Sequence, residues 1–212
     1  MSKLNKNLWA AVFSEYSDLY QSAFSAATTA EKEHQQEVIA KIKDQQDDFD
    51  LTFFKEPEEK PVCEYLSQVI RSETNHFTNP LLNSIKEIRD SLTWEYGYND
   101  LPTELKQKYA YTEILSPDGP ILGQEIILGL VLLAPDCLYP EHSHEQIAES
   151  YVVLSGTVTV NGNQDFKPGY SIYNSPGEKH ELATTRQPCL LAYAWSGDKG
   201  ILANNTMEFD KK

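Results

Sequence analysis

The second half of the chain consists of short apolar runs separated by turn residues. From about Tyr109 onward, runs rich in Val, Ile, Leu, Thr and Tyr alternate with segments that contain Gly, Pro and Asn. Many short strands at this spacing predict an antiparallel sandwich or barrel of the jelly-roll type. The pair Asn161 and Gly162 between two of the runs predicts a tight hairpin turn. The predicted strands are Tyr109–Leu115, Glu125–Leu133, Tyr151–Leu154, Thr157–Val160, Tyr170–Tyr173, Glu181–Ala183 and Leu190–Trp195.

The first half has the period of helices instead. Up to about Leu92, apolar side chains recur at intervals of three and four residues, beginning with Leu8, Val12, Tyr16, Leu19 and Tyr20. Thr28 followed by Glu31 resembles a capping box and predicts the start of a second helix. Apolar helix stripes need a partner surface, so we expect an α+β fold in which an N-terminal helical segment packs on a C-terminal antiparallel β-barrel. The predicted regions are 1–100 for the helices and 101–212 for the barrel.

The charge of the chain excludes two classes of partner. Its 212 residues carry 32 acidic and 18 basic side chains, which gives a formal net charge of −14. Nucleic acids and anionic membrane surfaces attract Lys and Arg, so neither is an expected partner. The longest apolar run, Ile126–Ala134, is much shorter than the roughly 20 residues that cross a bilayer.

The cysteines and the N-terminus indicate the compartment. The three cysteines, Cys63, Cys137 and Cys189, are widely spaced and contain no CxxC pair, which fits a reducing environment better than a disulfide framework. Glu15 and Asp18 interrupt the first apolar stretch, so it lacks the uncharged core of a signal peptide. We therefore expect a cytoplasmic protein.

Three histidines and a glutamate have the spacing of a metal site. His142 and His144 are two apart, and on a strand such side chains point to the same face. Glu149 follows before a glycine at Gly156, and His180 comes after a second turn. Three imidazoles and one carboxylate form a mixed nitrogen and oxygen ligand set that suits one divalent transition metal: Zn, Fe, Mn, Co or Ni.

The remaining candidates for ligands have weaker patterns. His34 and His76 lie in the helical half without ligand spacing, and a lone histidine is usually a surface or hydrogen-bonded core residue. Glu141 and Glu145 have the right chemistry but fall in the predicted loop. They remain alternatives to Glu149.

The spacing of these residues resembles the cupin superfamily. The pattern His-x-His-x4-Glu-x6-Gly from His142 to Gly156 resembles the first cupin motif, and Gly177-x-x-His180 resembles the second. The second match departs from the family, because its proline falls one residue off and Thr184 stands where Asn is common. This departure affects the expected geometry of the loop before His180 more than the expected role of His180 as a ligand.

Within the cupins, the chain resembles the dimethylsulfoniopropionate (DMSP) lyases. Tyr139 lies three residues before the first histidine of the motif, and Tyr151 lies two residues after the glutamate. The segment Gly129–Pro135, the stretch Trp94–Tyr98 and the stretch Tyr193–Asp198 are similar to segments of the same group. The resemblance is specific between residues 125 and 198 and general before them. One departure is the spacer of four residues before the glutamate, where three are expected in many of these lyases.

The resemblance implies a lyase that cleaves DMSP to dimethyl sulfide and acrylate by β-elimination. A metal that binds the substrate carboxylate would acidify the adjacent C–H bond, and a tyrosine near the metal could remove the proton. Tyr151 is the predicted base, and Tyr139 is predicted to position the substrate or share that role. The sulfonium needs a cation-π surface, for which the candidates are Trp195, Tyr170, Tyr173 and Tyr193. Each of these aromatic residues can equally be ordinary barrel packing.

Other functions remain open on the sequence alone. The alternatives are another metal-dependent cupin enzyme, either an Fe(II) dioxygenase or an isomerase, and a non-catalytic cupin that binds a small molecule. The expected partner in every case is a small molecule. Cupins often pair, so the resemblance also allows a homodimer.

Overall fold

Helices make up the first part of the fold. The computed structural model describes residues 6–23, 28–52, 55–72, 75–98 and 100–204. The predicted start of the second helix is confirmed, because the Thr28 hydroxyl accepts the backbone N–H of Glu31 at 3.2 Å and so caps that helix. Within the described ranges, no helix has both the length and the apolar character needed to cross a membrane. The helices are α1 (Lys6–Ser22), α2 (Thr29–Gln46), α3 (Leu66–Ser72), α4 (Asn79–Ile88), α5 (Thr103–Lys108) and α6 (Lys199–Ala203), with 3-10 turns at Pro61–Tyr65 and Arg89–Ser91.

Two sheets form the second part. Six strands pair in the order β2-β1-β3-β10-β5-β8, and four pair in the order β4-β9-β6-β7. Neighbouring strands are antiparallel except for the short β1–β2 pair. The predicted α+β class of cupin type is therefore confirmed. The strands are β1 (Tyr109–Ser116), β2 (Ile121–Leu122), β3 (Ile126–Leu133), β4 (Leu138–His142), β5 (Ala148–Ser155), β6 (Val158–Val160), β7 (Gln164–Phe166), β8 (Ser171–Asn174), β9 (His180–Ala183) and β10 (Cys189–Ser196).

Two glycine positions set the turns around the smaller sheet. Asn161 and Gly162 join β6 to β7 with φ angles of 51° and 63°, which confirms the predicted hairpin, since such a turn needs positive φ at both central residues. Gly156 ends β5 with a φ of 82°. A side chain there would also bring its Cβ to 2.2 Å from the carbonyl oxygen of Pro188. Only glycine fits both demands.

The six-stranded sheet is buried on both faces. In β10, Leu190, Ala192 and Ala194 belong to the hydrophobic core shared with the helices, while the alternate residues Tyr193 and Trp195 belong to the core between the two sheets. β3 and β5 alternate in the same way. Because both faces are covered, these strands read as nearly continuous apolar runs instead of alternating with polar residues.

The helical layer covers the outer face of that sheet. Trp9, Val12 and Ile42 from the helices share one core with Leu128 and Leu130 of β3. The helices thus bury a sheet face, as the sequence analysis expected of an apolar stripe. The division at residue 100 into two regions stays a prediction, and this core extends across it.

Removing the helical layer should leave the sheet without its cover. We expect a shortened chain that starts at Leu101 to aggregate, because an uncovered apolar sheet face of this size is not tolerated in water. Size-exclusion chromatography and the binding of a hydrophobic dye measure the effect. A shortened chain that is monomeric and as active as the full chain would show that the helices have no covering role.

Candidate metal centre and active site

The four residues of the predicted metal site come together in the core between the sheets. One ligand atom from each of His142, His144, Glu149 and His180 lies within 4.8 Å of the others, and all four side chains are buried. His142 ends β4, Glu149 lies in β5 and His180 begins β9. The hydrogen-bonded ladders of both sheets therefore position the cluster.

His144 reaches the cluster from a loop and not from a strand. The two histidines were expected on one strand, but β4 ends at His142 and its register shifts between Tyr139 and His142. The loop is fixed in another way, since the carbonyl oxygen of His144 accepts the backbone N–H of Gly177 at 2.9 Å. This bond joins the two motif segments directly, and Gly177 has a φ of 77°.

Hydrogen bonds set the orientation of two of the imidazoles. Nδ1 of His142 lies 2.9 Å from the carbonyl oxygen of Pro140, and Nδ1 of His180 lies 3.1 Å from that of Glu178. A carbonyl oxygen only accepts, so each Nδ1 carries a proton, and in the neutral ring that binds a metal the lone pair is on Nε2. Burial first, and the neighbouring His180 second, lower the pKa of His142 to about 3, so this imidazole is neutral at pH 7.

The Nε2 atoms of the three histidines are suited to a metal ion. Each is buried and makes no hydrogen bond to the residues that the structure describes. That of His180 lies 2.8 Å from Oε2 of Glu149, but without the alignment of a hydrogen bond. Buried polar atoms without partners are rare in proteins. Together with a carboxylate, three inward-facing lone pairs match the donor set of a divalent transition metal.

Two neighbouring strands hold the carboxylate of Glu149. The indole N–H of Trp195 donates to Oε1 at 2.6 Å, and the amide of Asn174 donates to Oε2 at 3.1 Å. Both residues lie directly opposite Glu149, on β10 and β8. Burial raises the pKa of this carboxyl, but the surrounding histidines, His180 first, more than offset the effect and hold it well below its usual range. Trp195 therefore contacts a candidate ligand, a role that the sequence analysis did not foresee, and Asn174 was missed altogether.

The indole N–H of Trp195 should matter for metal affinity. We expect Trp195→Phe to weaken metal binding by about tenfold or more, because supporting residues of metal ligands typically contribute 10- to 100-fold. Tyr193→Phe is the matched control, since it changes an aromatic residue two positions earlier on the same face of β10. Competition with a chromogenic chelator measures both. Equal affinities in the two variants would contradict the role of the hydrogen bond.

An aromatic cavity opens onto the cluster. It encloses about 260 Å³, including the space at its mouth. The hydroxyl of Tyr139 in its wall lies 2.6 Å from that of Tyr98 and 3.4 Å from that of Tyr109. The lining residues are Tyr109, Tyr111, Val131, Tyr139, His142, His144, Glu149, Tyr151, Tyr193 and Trp195. Of the predicted catalytic and substrate residues, Tyr139, Tyr151, Tyr193 and Trp195 thus line one cavity with the cluster.

Two predicted substrate residues lie elsewhere. Tyr170 precedes β8 and is 43% exposed. Tyr173 lies opposite Ser150 in the β5–β8 pair, and its ring centroid is 5.4 Å from that of His34 on α2. Tyr173 therefore faces the helical layer, because side chains alternate along a strand and its neighbour Asn174 faces the cluster. The prediction that these two tyrosines contact the substrate has no support in this geometry.

Three tyrosines of the site were missed by the sequence analysis. Tyr109 and Tyr111 share one face of β1, and Tyr98 comes from the segment that precedes α5. The spacing of Tyr109 and Tyr111 by two residues was a signal that they point the same way. Neither this spacing nor the Trp94–Tyr98 stretch indicated that they meet Tyr139.

The fold and the cluster define a cupin-type protein with a buried three-histidine, one-carboxylate candidate metal centre. A family model described as dimethylsulfoniopropionate lyase matches residues 30–191. The chain belongs to the dimethylsulfoniopropionate lyase family.

One relative in sequence agrees with this assignment, and two solved structures are similar in fold. Over 144 residues, or 68% of the chain, it is 42% identical to a protein of Cereibacter sphaeroides named as a candidate dimethylsulfoniopropionate lyase, DddL. The chain spans 62% of the length of that relative. The crystal structure of DMSP lyase DddQ from Ruegeria pomeroyi is similar in fold, with a TM-score of 0.72, 16% identity, and 97% coverage of each chain. A structure of the DMSP lyases RdDddP and RnDddQII has a TM-score of 0.70, 16% identity, and coverage of 97% of this chain and 99% of that one.

Proposed function

We propose that this protein is a metal-dependent carbon–sulfur lyase that cleaves DMSP to dimethyl sulfide and acrylate. The observation that carries the proposal is the composition of the cavity wall. Its lining residues include one charged side chain, Glu149, and that side chain belongs to the cluster. The rest of the wall is mainly aromatic.

Such a cavity suits a substrate that carries a cation at one end and a carboxylate at the other. A sulfonium cannot donate a hydrogen bond, so aromatic faces recognise it through cation-π attraction. Of the four aromatic residues predicted for that task, Tyr193 and Trp195 lie in the wall, with ring centroids 5.6 Å apart. Among the residues that the structure describes, the wall has no Lys or Arg to bind the carboxylate, which leaves the metal cluster for that end.

Tyr151 is the proposed base. It lies two residues after Glu149 on β5, and its ring centroid is 6.2 Å from that of His180. Burial raises the pKa of Tyr151 well above its usual value, and the nearby carboxylate of Glu149 raises it further. A divalent ion bound by His142, His144, Glu149 and His180 would supply positive charge that opposes this shift, and it would also bind the substrate carboxylate.

These groups account for the proton and for both electron pairs that move in the elimination. The Tyr151 phenolate takes the proton from the carbon next to the carboxylate and becomes a neutral phenol, and the electron pair of that C–H bond forms the carbon–carbon double bond. The C–S bond breaks, and its electrons leave with sulfur as neutral dimethyl sulfide, which requires no acid. Tyr139 is proposed to position the substrate, because hydroxyl contacts with Tyr98 and Tyr109 hold its own hydroxyl in place.

Oxygen dependence tests this proposal against its main rival. We expect purified protein supplied with Zn, Mn, Fe, Co or Ni to release dimethyl sulfide from DMSP at the same rate under nitrogen and in air, because elimination consumes no oxidant. Activity that requires both Fe(II) and oxygen would favour a dioxygenase instead. Binding of DMSP with no turnover by any of these metals would favour a binding protein.

A further inference from the structure

A single histidine connects the helical layer to the strands behind the candidate metal centre. We propose that His34 of α2 is a positioning residue that links β5 to β10 behind Glu149 and Trp195 and so steadies the hydrogen bond between those two side chains. The inference rests on the proposed metal centre and extends it to a residue in the opposite half of the chain.

The imidazole of His34 bridges the two strands. Its Nε2 atom lies 2.8 Å from the hydroxyl oxygen of Ser150 on β5, and its Nδ1 atom lies 3.0 Å from that of Ser196 on β10. Tyr20 of α1 adds a second contact, because its hydroxyl lies 3.0 Å from that of Ser150. All four side chains are buried. This polar group lies between the helices and the sheet, within a mainly apolar core.

The contacts of His34 with the two serines lie on the opposite face of the sheet from the hydrogen bond between Trp195 and the Glu149 carboxylate. Ser150 follows Glu149 in β5, and Ser196 follows Trp195 in β10, so each serine faces the helices while its neighbour faces the cavity. Glu149 and Trp195 are themselves directly paired across the two strands. The same two pieces of backbone are therefore fixed on one face by His34 and on the other by the 2.6 Å bond from the indole to the carboxylate.

A neutral imidazole fits this place better than an apolar side chain. Burial lowers the pKa of His34 to about 4, so the ring is uncharged at pH 7 and offers one donor and one acceptor. Two serine hydroxyls, which can each donate or accept, satisfy both nitrogens. An apolar residue would fill the space but would bond to neither serine, so this link between the two strands would be lost.

Four variants of the full chain test the role. His34→Leu removes both contacts, His34→Gln keeps the ability to bond with one serine, and Ser196→Ala removes one partner. Val38→Ala is the matched control, because Val38 lies one turn further along α2 and is fully buried in the same core without polar contacts to offer. The first readout is the affinity for Zn²⁺ in competition with a chelator. The second is the NMR signal of the Trp195 indole N–H in the metal-free protein, which Trp195→Phe identifies.

We expect His34→Leu to weaken Zn²⁺ binding by about threefold to tenfold, below the usual effect of a residue that contacts a ligand directly. It should also shift the Trp195 signal, and His34→Gln should recover part of both effects. Val38→Ala should lower thermal stability and leave both readouts at their wild-type values. Unchanged readouts in His34→Leu, or equal changes in Val38→Ala, would overturn the proposal.

Two outcomes need a second measurement: a His34→Leu variant that does not fold, and a wild-type protein that does not bind metal. If His34→Leu does not fold, Ser196→Ala decides, and an unchanged Trp195 signal in that variant overturns the proposal. If the wild-type protein binds none of Zn²⁺, Mn²⁺, Fe²⁺, Co²⁺ and Ni²⁺, the proposed metal centre fails on its own. The Trp195 signal of the metal-free variants then still shows whether His34 holds the two strands.

Discussion

Replacing His144 or His180 by alanine should remove the metal from the protein and abolish its lyase activity. Each change deletes one of three buried nitrogen donors and leaves a cavity too short of ligands to retain a divalent ion. We expect metal content to fall from one ion per chain to near zero. Turnover should fall by more than about a hundredfold, because loss of a residue that only supports a metal ligand already costs up to that much. Elemental analysis after gel filtration measures the first quantity.

His76→Ala is the control for this experiment. His76 is exposed, and its ring lies against Phe77 with centroids 4.0 Å apart, far from any ligand pattern. It should retain metal and activity. Full metal occupancy in both the His144 and His180 variants would contradict the proposed ligand set.

Removing the hydroxyl of Tyr151 should stop the chemistry without disturbing the metal. Tyr151→Phe keeps the buried ring in the core between the sheets, so the fold and the cluster should be preserved. Turnover should fall by on the order of a hundredfold or more, the usual scale for a positioned acid or base. The measurement is acrylate release at matched metal occupancy, together with solvent deuterium exchange at the carbon next to the substrate carboxylate.

Tyr139→Phe provides the comparison for this variant. Its hydroxyl contacts two other tyrosines, so its loss should disturb positioning and have a smaller effect on turnover. If Tyr151→Phe keeps nearly wild-type acrylate release while Tyr139→Phe loses it, the base is Tyr139 and the two roles are reversed.

The sequence predicted most of the elements and the members of the cluster, because both depend on local pattern. The short strands β2, β4 and β7 were not among the predicted strands. The change from a period of three and four residues to short apolar runs marked the two structural layers, and the Asn161–Gly162 turn was confirmed because its geometry depends on those two residues alone. The four cluster residues were found from their spacing. His144 reaches the cluster from a loop and not from the expected strand. Residue spacing does not reveal the register shift between Tyr139 and His142 that precedes the end of β4.

The sequence could not predict which face of a strand meets the cavity. β5, β8 and β10 have core residues on both faces, so alternation separates two sets of side chains without saying which set faces the helices. This is why Tyr173 was assigned to the substrate and Asn174 beside it was overlooked. The sequence analysis also gave His34 no specific role. Its two serine partners lie more than a hundred positions away in the chain, so no local pattern connects them. The homodimer that the resemblance allows is untested by the structure.

The most direct test of the account is the identity of the products formed from DMSP. Purified, metal-loaded protein should release dimethyl sulfide into the headspace and acrylate into solution in equal amounts. Both products should disappear when a chelator removes the metal and return when the metal is restored. Consumption of DMSP without acrylate, or equal product formation in the metal-free protein, would contradict a metal-dependent β-elimination.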